Sequence, residues 1–466
     1  MTKLLIVGGT FDHEGGRPSK LIDSIKTEIA RSNWYDITFF NGGLVEDLHK
    51  NILPSVTDYK VVLWFANVPN DEVKLRDVKA INPKCILVTS KRNDDNKYTF
   101  AELISRALSI KANLTIEFSR QEDKFNMMLF DPLGNVFYNG LSVDLLCKNL
   151  IYRIYELSCF SRVPTIQDTV NEAPVVPEET AFFDFAHGCA TIFHNLIRPA
   201  KGTERFLGNM SFRCQNGFPS FRGENDIIYV SKRNVDKSDI GASSFVPTYL
   251  DEELDVKYFG ENKPSVDTPV QLRLYELFPW ANYMLHAHCY IDSKLISMLI
   301  DDSVVTQTNA PVPCGAIEEV REIYASLPCS LDKVNQEPPR LLAVNLIGHG
   351  CILIARDVEV LKELEDHKNC CFTQRPMPEN FERTDITITE EDARKWLDEF
   401  FEESGKFAED TRASRLRLID DLHDIVTEIE ARETASNCVV GRLGGYSWDG
   451  LCDTAIKILQ TLKQTT

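Results

Sequence analysis

The segment ANYMLHAHCYI places His286 and His288 two residues apart inside an apolar run. Side chains alternate faces along a β-strand, so imidazoles at this spacing point the same way and can share one metal ion. Two hydrogen-bonded core histidines produce the same spacing, and the pair alone leaves both readings open. A third histidine, His349, lies between Gly348 and Gly350 in LLAVNLIGHGCILIARD, where two apolar runs meet and the chain must turn tightly. Three neutral imidazoles with an open position for water or substrate form the arrangement that catalytic zinc adopts. The chain has nine histidines, and these three stand in apolar strand contexts that have little other use for them.

Any such cluster needs a scaffold. From Lys3 to about Leu157 the runs KLLIVGG, YDITFF, KVVLWFANV, CILVTS and LTIEF read as buried strands. Helical spacing falls between them, as in Pro18 to Ala30 and Phe100 to Ile110. Strands alternating with helices predict a doubly wound parallel sheet over residues 1–158, Rossmann- or flavodoxin-like in pattern. Its first turn, GGTFDHEGGRPSK, is a glycine-rich strand-to-helix junction. Backbone amides there would meet a phosphate at a helix N-terminus, although tight turns in α/β domains need glycine with or without a ligand. The proline-bearing, acidic stretch 159–180 reads as an interdomain linker. A second domain is expected over 181–375, and 385–466 shows three-and-four apolar spacing on charged backgrounds, a helical C-terminal segment.

Composition narrows the function. The 466 residues include 51 Lys plus Arg against 70 Asp plus Glu, a formal net charge of -19. A field of that sign repels phosphate backbones and anionic membranes, so no nucleic-acid or membrane partner is expected. No stretch reaches the roughly 20 apolar residues of a spanning helix. Thirteen cysteines without a CxxC pair fit reduced thiols rather than a disulfide framework. A cytoplasmic protein is the expectation.

The motifs GNMS, KPSVD, HAH, PVPCGAIEE and GHG follow one another between residues 208 and 350. In this order and spacing the central region, about 180–370, resembles the class II aldolase/adducin family. That resemblance implies an α/β domain with a mixed sheet, and a zinc ion or another divalent cation held by His286, His288 and His349. It implies a substrate-phosphate site at Gly208 and Asn209, a second anion loop at Ser231, Lys232 and Arg233, and a third turn with Ser265. Asp267 matches the family's acid/base glutamate, one methylene shorter; the competing reading is a helix N-cap for TPVQLRLYEL. The family's tyrosine acid has no counterpart in DDSVVTQTNAPVPC, where Thr306, Gln307 or Thr308 would at most orient a substrate. Glu318 and Glu319 match a helix start whose acidic residues serve the helix dipole.

The resemblance thus implies a metal-dependent lyase acting on a phosphorylated sugar or related hydroxy-carbonyl compound through an enediolate, by aldol cleavage, dehydration or epimerisation. It also implies a homo-oligomer, commonly a tetramer. Two alternatives stand beside it: an adducin-like, non-catalytic scaffold, and a bifunctional chain whose N-terminal domain binds a nucleotide or flavin at its strand ends.

Overall fold

The computed structural model describes residues 2–32, 35–68, 75–121, 124–170, 172–194, 206–213, 227–251 and 255–383. The helical segment expected over 385–466 lies outside these residues. The chain divides into two compact units. The first comprises the described residues within 2–99, 106–158 and 380–383; the second comprises those within 159–379 with residues 100–105.

In the first unit, β1 (Thr2–Asp12), β2 (Tyr35–Leu44), β3 (Val61–Trp64), β4 (Ile86–Arg92) and β5 (Leu114–Gln121) run parallel in the spatial order β2-β1-β3-β4-β5. All five runs read as strands in the sequence are here. Leu4 and Ile6 pack on one face of β1 and Leu5 and Val7 on the other. Covered on both faces, such a strand must be apolar throughout, hence the unbroken KLLIV. The sheet then continues antiparallel through β6 (Lys124–Phe130) and β7 (Asn135–Gly140). These two the sequence reading did not pick out, because KFNMMLF and NVFYNG carry no helix-spaced partner segment between them. The glycine-rich turn also differs from the expected direct junction: β1 runs on to Asp12 and closes a loop through paired backbone hydrogen bonds between Thr10 and Arg17. The helix Lys20–Arg31 begins only after it.

The second unit holds a nine-stranded mixed sheet. Its strands are β8 (Thr165–Asp168), β9 (Asn209–Arg213), β10 (Ile228–Ser231), β11 (Phe245–Leu250), β12 (Val256–Phe259), β13 (Tyr283–Ala287), β15 (Ser303–Gln307), β16 (Leu341–Leu346) and β17 (Gly350–Ala355). Their order is β15-β16-β17-β13-β9-β10-β11-β12-β8. Two short strands, β14 (Tyr290–Ile291) and β18 (Phe372–Thr373), pair separately. One face packs on the helices Thr180–His194 and Val358–Asp366, the other on Thr268–Leu277 and Glu318–Ala325. The stretch 159–180 is therefore not a free linker. Thr165–Asp168 forms the parallel edge strand against β12, and the Ser161 amide donates to Glu318. No residue of this four-residue edge strand is fully buried, so TIQD shows too little apolar alternation to announce itself.

Candidate metal centre

The site forms where β9, β13 and the β16–β17 hairpin meet. Side-chain alternation sends Tyr283, Leu285 and Ala287 of β13 into the core on one face, and Met284 into the core on the other. His286 shares the parity of Met284, and His288 follows two residues on. Antiparallel pairing sets His286 directly opposite Asn209 of β9. His349 arrives from the hairpin, whose turn is closed by its own amide donating to Leu346 O. Gly350 lets the hairpin come this close: a Cβ there would stand 2.0 Å from the carbonyl oxygen of Ala287. Gly208 has a similar task at φ +77°, with a notional Cβ 2.5 Å from His286 O.

The three imidazoles converge. Ring centroids are 4.9 Å apart for His286 and His288, 4.6 Å for His286 and His349, and 5.1 Å for His288 and His349. One nitrogen from each lies within 4.8 Å of the other two. All three side chains are buried. His286 Nδ1 donates to Cys351 O at 2.9 Å, which leaves the lone pair on Nε2, and that buried atom has no hydrogen-bond partner. His288 Nδ1 is likewise buried and unpartnered. Burial, followed by the neighbouring His349, lowers the His286 pKa; burial, followed by His286 and His349, holds His288 well below its ordinary value. Neutral rings with buried, unengaged nitrogens cost about 1–3 kcal/mol each without a partner, and they are the donor set a divalent cation takes up. The residues fit such an ion.

His349 Nδ1 contacts Oε2 of Glu319 at 2.8 Å, and its Nε2 stands 3.2 Å from Cys314 Sγ. A carboxylate behind a histidine fixes its tautomer and raises its basicity toward a metal. Glu319 is buried, and burial pushes its carboxyl up to about 7. It is thus more than the helix-start charge read from the sequence. Arg375, also buried, donates to His349 O at 3.1 Å and is ion-paired with Glu379, which holds the hairpin turn from behind. Neither Cys314 nor Arg375 is singled out by the sequence, although Cys314 stands within the motif PVPCGAIEE.

Asp267 immediately precedes the helix Thr268–Leu277, yet its side chain makes no capping hydrogen bond. Instead its Oδ2 accepts from Asn209 Nδ2 at 2.6 Å, while Oδ1 is buried without a partner. Asn209 in turn accepts from Gln271 Nε2 through its own amide oxygen. The Asn209 amide, expected to meet substrate phosphate, is therefore engaged with Asp267 and Gln271.

The anion-loop residues separate. Ser231 is buried and its Oγ accepts from the Met210 amide; Ser265 is buried and its Oγ accepts from the Asp267 amide. Arg233 is exposed, with Nε donating to Pro264 O, and so ties the second loop to the third turn. Lys232 is half-buried, and its backbone amide donates to Ser244 O. The buried cation of this loop is Lys237, which donates to Leu207 O at 2.9 Å and Gly208 O at 2.8 Å; burial lowers its pKa to about 8. Thr306 donates to Ser326 O, and Thr308 Oγ1 accepts the Ile347 amide. Both hydroxyls thus serve the backbone, that of Thr308 at the hairpin turn and that of Thr306 at the end of the helix Glu318–Ala325.

No curated protein matches the chain. Solved structures similar to it include a DNA/pantothenate metabolism flavoprotein from Streptococcus pneumoniae, at 14% identity over 34% of this chain and 99% of that one, TM-score 0.28. Others are YgbL, a putative aldolase/epimerase/decarboxylase from Klebsiella pneumoniae (13% identity, 40% and 84%, TM-score 0.26), and the N-terminal class II aldolase domain of a Thermoplasma acidophilum protein (13% identity, 43% and 95%, TM-score 0.26). Residues 190–364 match the family model of the class II aldolase and adducin N-terminal domain, a span that contains the three histidines, Asn209, Asp267 and Glu319. This part of the chain is a class II aldolase/adducin-type domain.

Proposed function

We propose that the domain is a divalent-metal-dependent lyase, with zinc as the cation, acting on a phosphorylated sugar or related hydroxy-carbonyl compound. The observation that carries this reading is the convergence of three buried imidazoles, beside a buried carboxylate with one oxygen that has no hydrogen-bond partner. His286, His288 and His349 would hold the cation, which would polarise a substrate carbonyl and stabilise the negative charge developing beside it.

The chain's own residues supply the rest. Asp267, held through Oδ2 by Asn209, presents Oδ1 to take or return a proton at substrate. Glu319 keeps His349 in the tautomer with its lone pair on Nε2. In this reading a phosphate would be met from the Gly208 turn, Ser231, Lys232, Arg233 and Ser265, and Lys237 braces the turn through Leu207 O and Gly208 O. Proton exchange beside a carbonyl is common to aldol cleavage, dehydration and epimerisation, so the geometry supports the class of reaction rather than one member.

The test combines metal analysis with isotope exchange. Purified full-length protein should hold one zinc or similar ion per chain and should catalyse deuterium incorporation from D2O into members of a hydroxy-ketone phosphate panel. Asp267→Ala should abolish exchange with metal content unchanged. Folded, metal-free protein that takes up no added zinc would instead support the adducin-like scaffold.

A further inference from the structure

A second convergence of polar groups lies in the N-terminal unit. A cavity of about 1000 Å³ opens at the carboxyl ends of β1, β3, β4 and β5. The order β2-β1-β3-β4-β5 reverses direction at β1, where successive connections leave toward opposite edges of the sheet and open a crevice between them. The volume is of the size that encloses a small organic ligand.

The charge of its lining opposes that of the whole chain. Among the described residues, Arg17, Arg76, Lys91, Arg92, Arg106 and Arg120 line it, with the carboxylate of Asp94 ion-paired to Arg92. The chain as a whole carries a formal charge of -19. Cations gathered around one concavity raise the local potential and favour an anionic ligand there. Arg106 makes the point most directly: its Nη1 is buried and has no hydrogen-bond partner, and burial lowers its pKa. A guanidinium loses several hydrogen bonds' worth of hydration on burial and keeps its place at low cost only when an acceptor meets it.

Two further features describe that acceptor. Ser19, at the N-cap of the twelve-residue helix Lys20–Arg31, lines the cavity and makes no side-chain capping bond. The start of that helix therefore faces the cavity with its donors, as phosphates prefer. On the β5–β6 side, Phe118 and Phe125 stack with ring centroids 6.0 Å apart, and Phe125 is 40% exposed. A flat aromatic platform beside a cationic pocket suits a planar ring joined to phosphates. Long nucleic acids are disfavoured by the chain's overall charge and by a concave site rather than a stripe.

We propose that the N-terminal unit binds a nucleoside polyphosphate in this cavity, with Arg106 and Lys91 toward the phosphates and the Phe118–Phe125 pair toward the base. This goes beyond the lyase reading and does not depend on it. Titration calorimetry on the full-length chain, with ATP, GTP, CTP and UTP and with inorganic tripolyphosphate as the ring-free probe, tests it. At least one nucleotide should bind once per chain and more tightly than tripolyphosphate. Arg106→Ala or Lys91→Ala should weaken it about tenfold or more, and the exposed Phe125→Ala should weaken the nucleotide but not tripolyphosphate. Far-UV circular dichroism and a wild-type-like urea unfolding midpoint report that each variant is folded. The proposal is overturned if no nucleotide binds, if tripolyphosphate binds as tightly as every nucleotide, if a single-stranded oligonucleotide is preferred, or if the folded Arg106 and Lys91 variants bind as wild type does.

Discussion

Asn209 Nδ2 donates a 2.6 Å hydrogen bond to Oδ2 of Asp267 and leaves Oδ1 of the same carboxylate buried and unengaged. One residue sits on β9 opposite His286 and the other at the foot of a helix, so the bond spans the two elements that frame the metal centre. An aspartate reaches one methylene less far than a glutamate, and its aim depends correspondingly on what holds it. Asn209→Ala should lower kcat by about 100-fold, the usual result of losing about 1 Å of alignment. Metal content should not change, because Asn209 touches none of the imidazoles' free nitrogens. A variant with full kcat would remove the positioning role from Asn209.

Glu319 offers a test of the metal centre itself. Its carboxylate backs His349 at 2.8 Å, and replacing such a partner weakens metal binding by roughly 10–100-fold. Glu319→Gln should show that loss in zinc affinity measured by chelator competition above pH 7. Burial pushes the wild-type carboxyl up to about 7. Below that pH it takes a proton and no longer differs in charge from glutamine, so the two affinities should converge. Parallel curves across the whole pH range would show that His349 gains nothing from the carboxylate.

The parts of this arrangement legible in the sequence are those with a fixed local period. The HAH spacing announces a shared strand face, GHG announces a turn, and the five apolar runs announce a parallel sheet covered on both faces. Glu319, Cys314, Arg375 and Lys237 were not legible as site residues, because each reaches the site through a tertiary contact between segments far apart in sequence. Asn209 was legible as a site residue but not in its partner: its amide is taken by Asp267, 58 residues away. Edge elements such as Thr165–Asp168 escape for a different reason, since none of that strand's four residues is fully buried and no apolar alternation results.

Gly350 is a steric requirement that makes a sharp prediction. Its φ of +155° is itself uncommon for other residues, and a Cβ would lie 2.0 Å from Ala287 O and 2.7 Å from the Cα of His288. Backbone atoms cannot swing aside as a flexible side chain would. Gly350→Ala should therefore push the hairpin away from β13, costing about 3 kcal/mol of stability. It should also reduce zinc occupancy, because His349 moves with the turn. Gly241, where a Cβ meets nothing within 4 Å, is the matched control: Gly241→Ala should leave zinc occupancy unchanged. Chemical denaturation alongside metal analysis separates these outcomes, and a Gly350→Ala protein with wild-type stability and zinc would contradict the close approach.

Lys237 carries a pH signature of its own. It is 2% exposed, donates to the carbonyls of Leu207 and Gly208, and burial lowers its pKa from 10.5 to about 8. Between those two values the unfolded chain binds more protons at this lysine than the folded one, so its contribution to stability rises with pH. Below about 8 both states are protonated and the full cost of burying the charge is present; by about 10.5 that cost, about 3 kcal/mol over the window, has been relieved. Other groups titrate in the same range, so the measurement is a difference. The stability of wild type minus that of Lys237→Met, from urea unfolding, should increase between pH 8 and 10. A difference that stays flat would mean that the ammonium is solvated rather than buried behind the Gly208 turn.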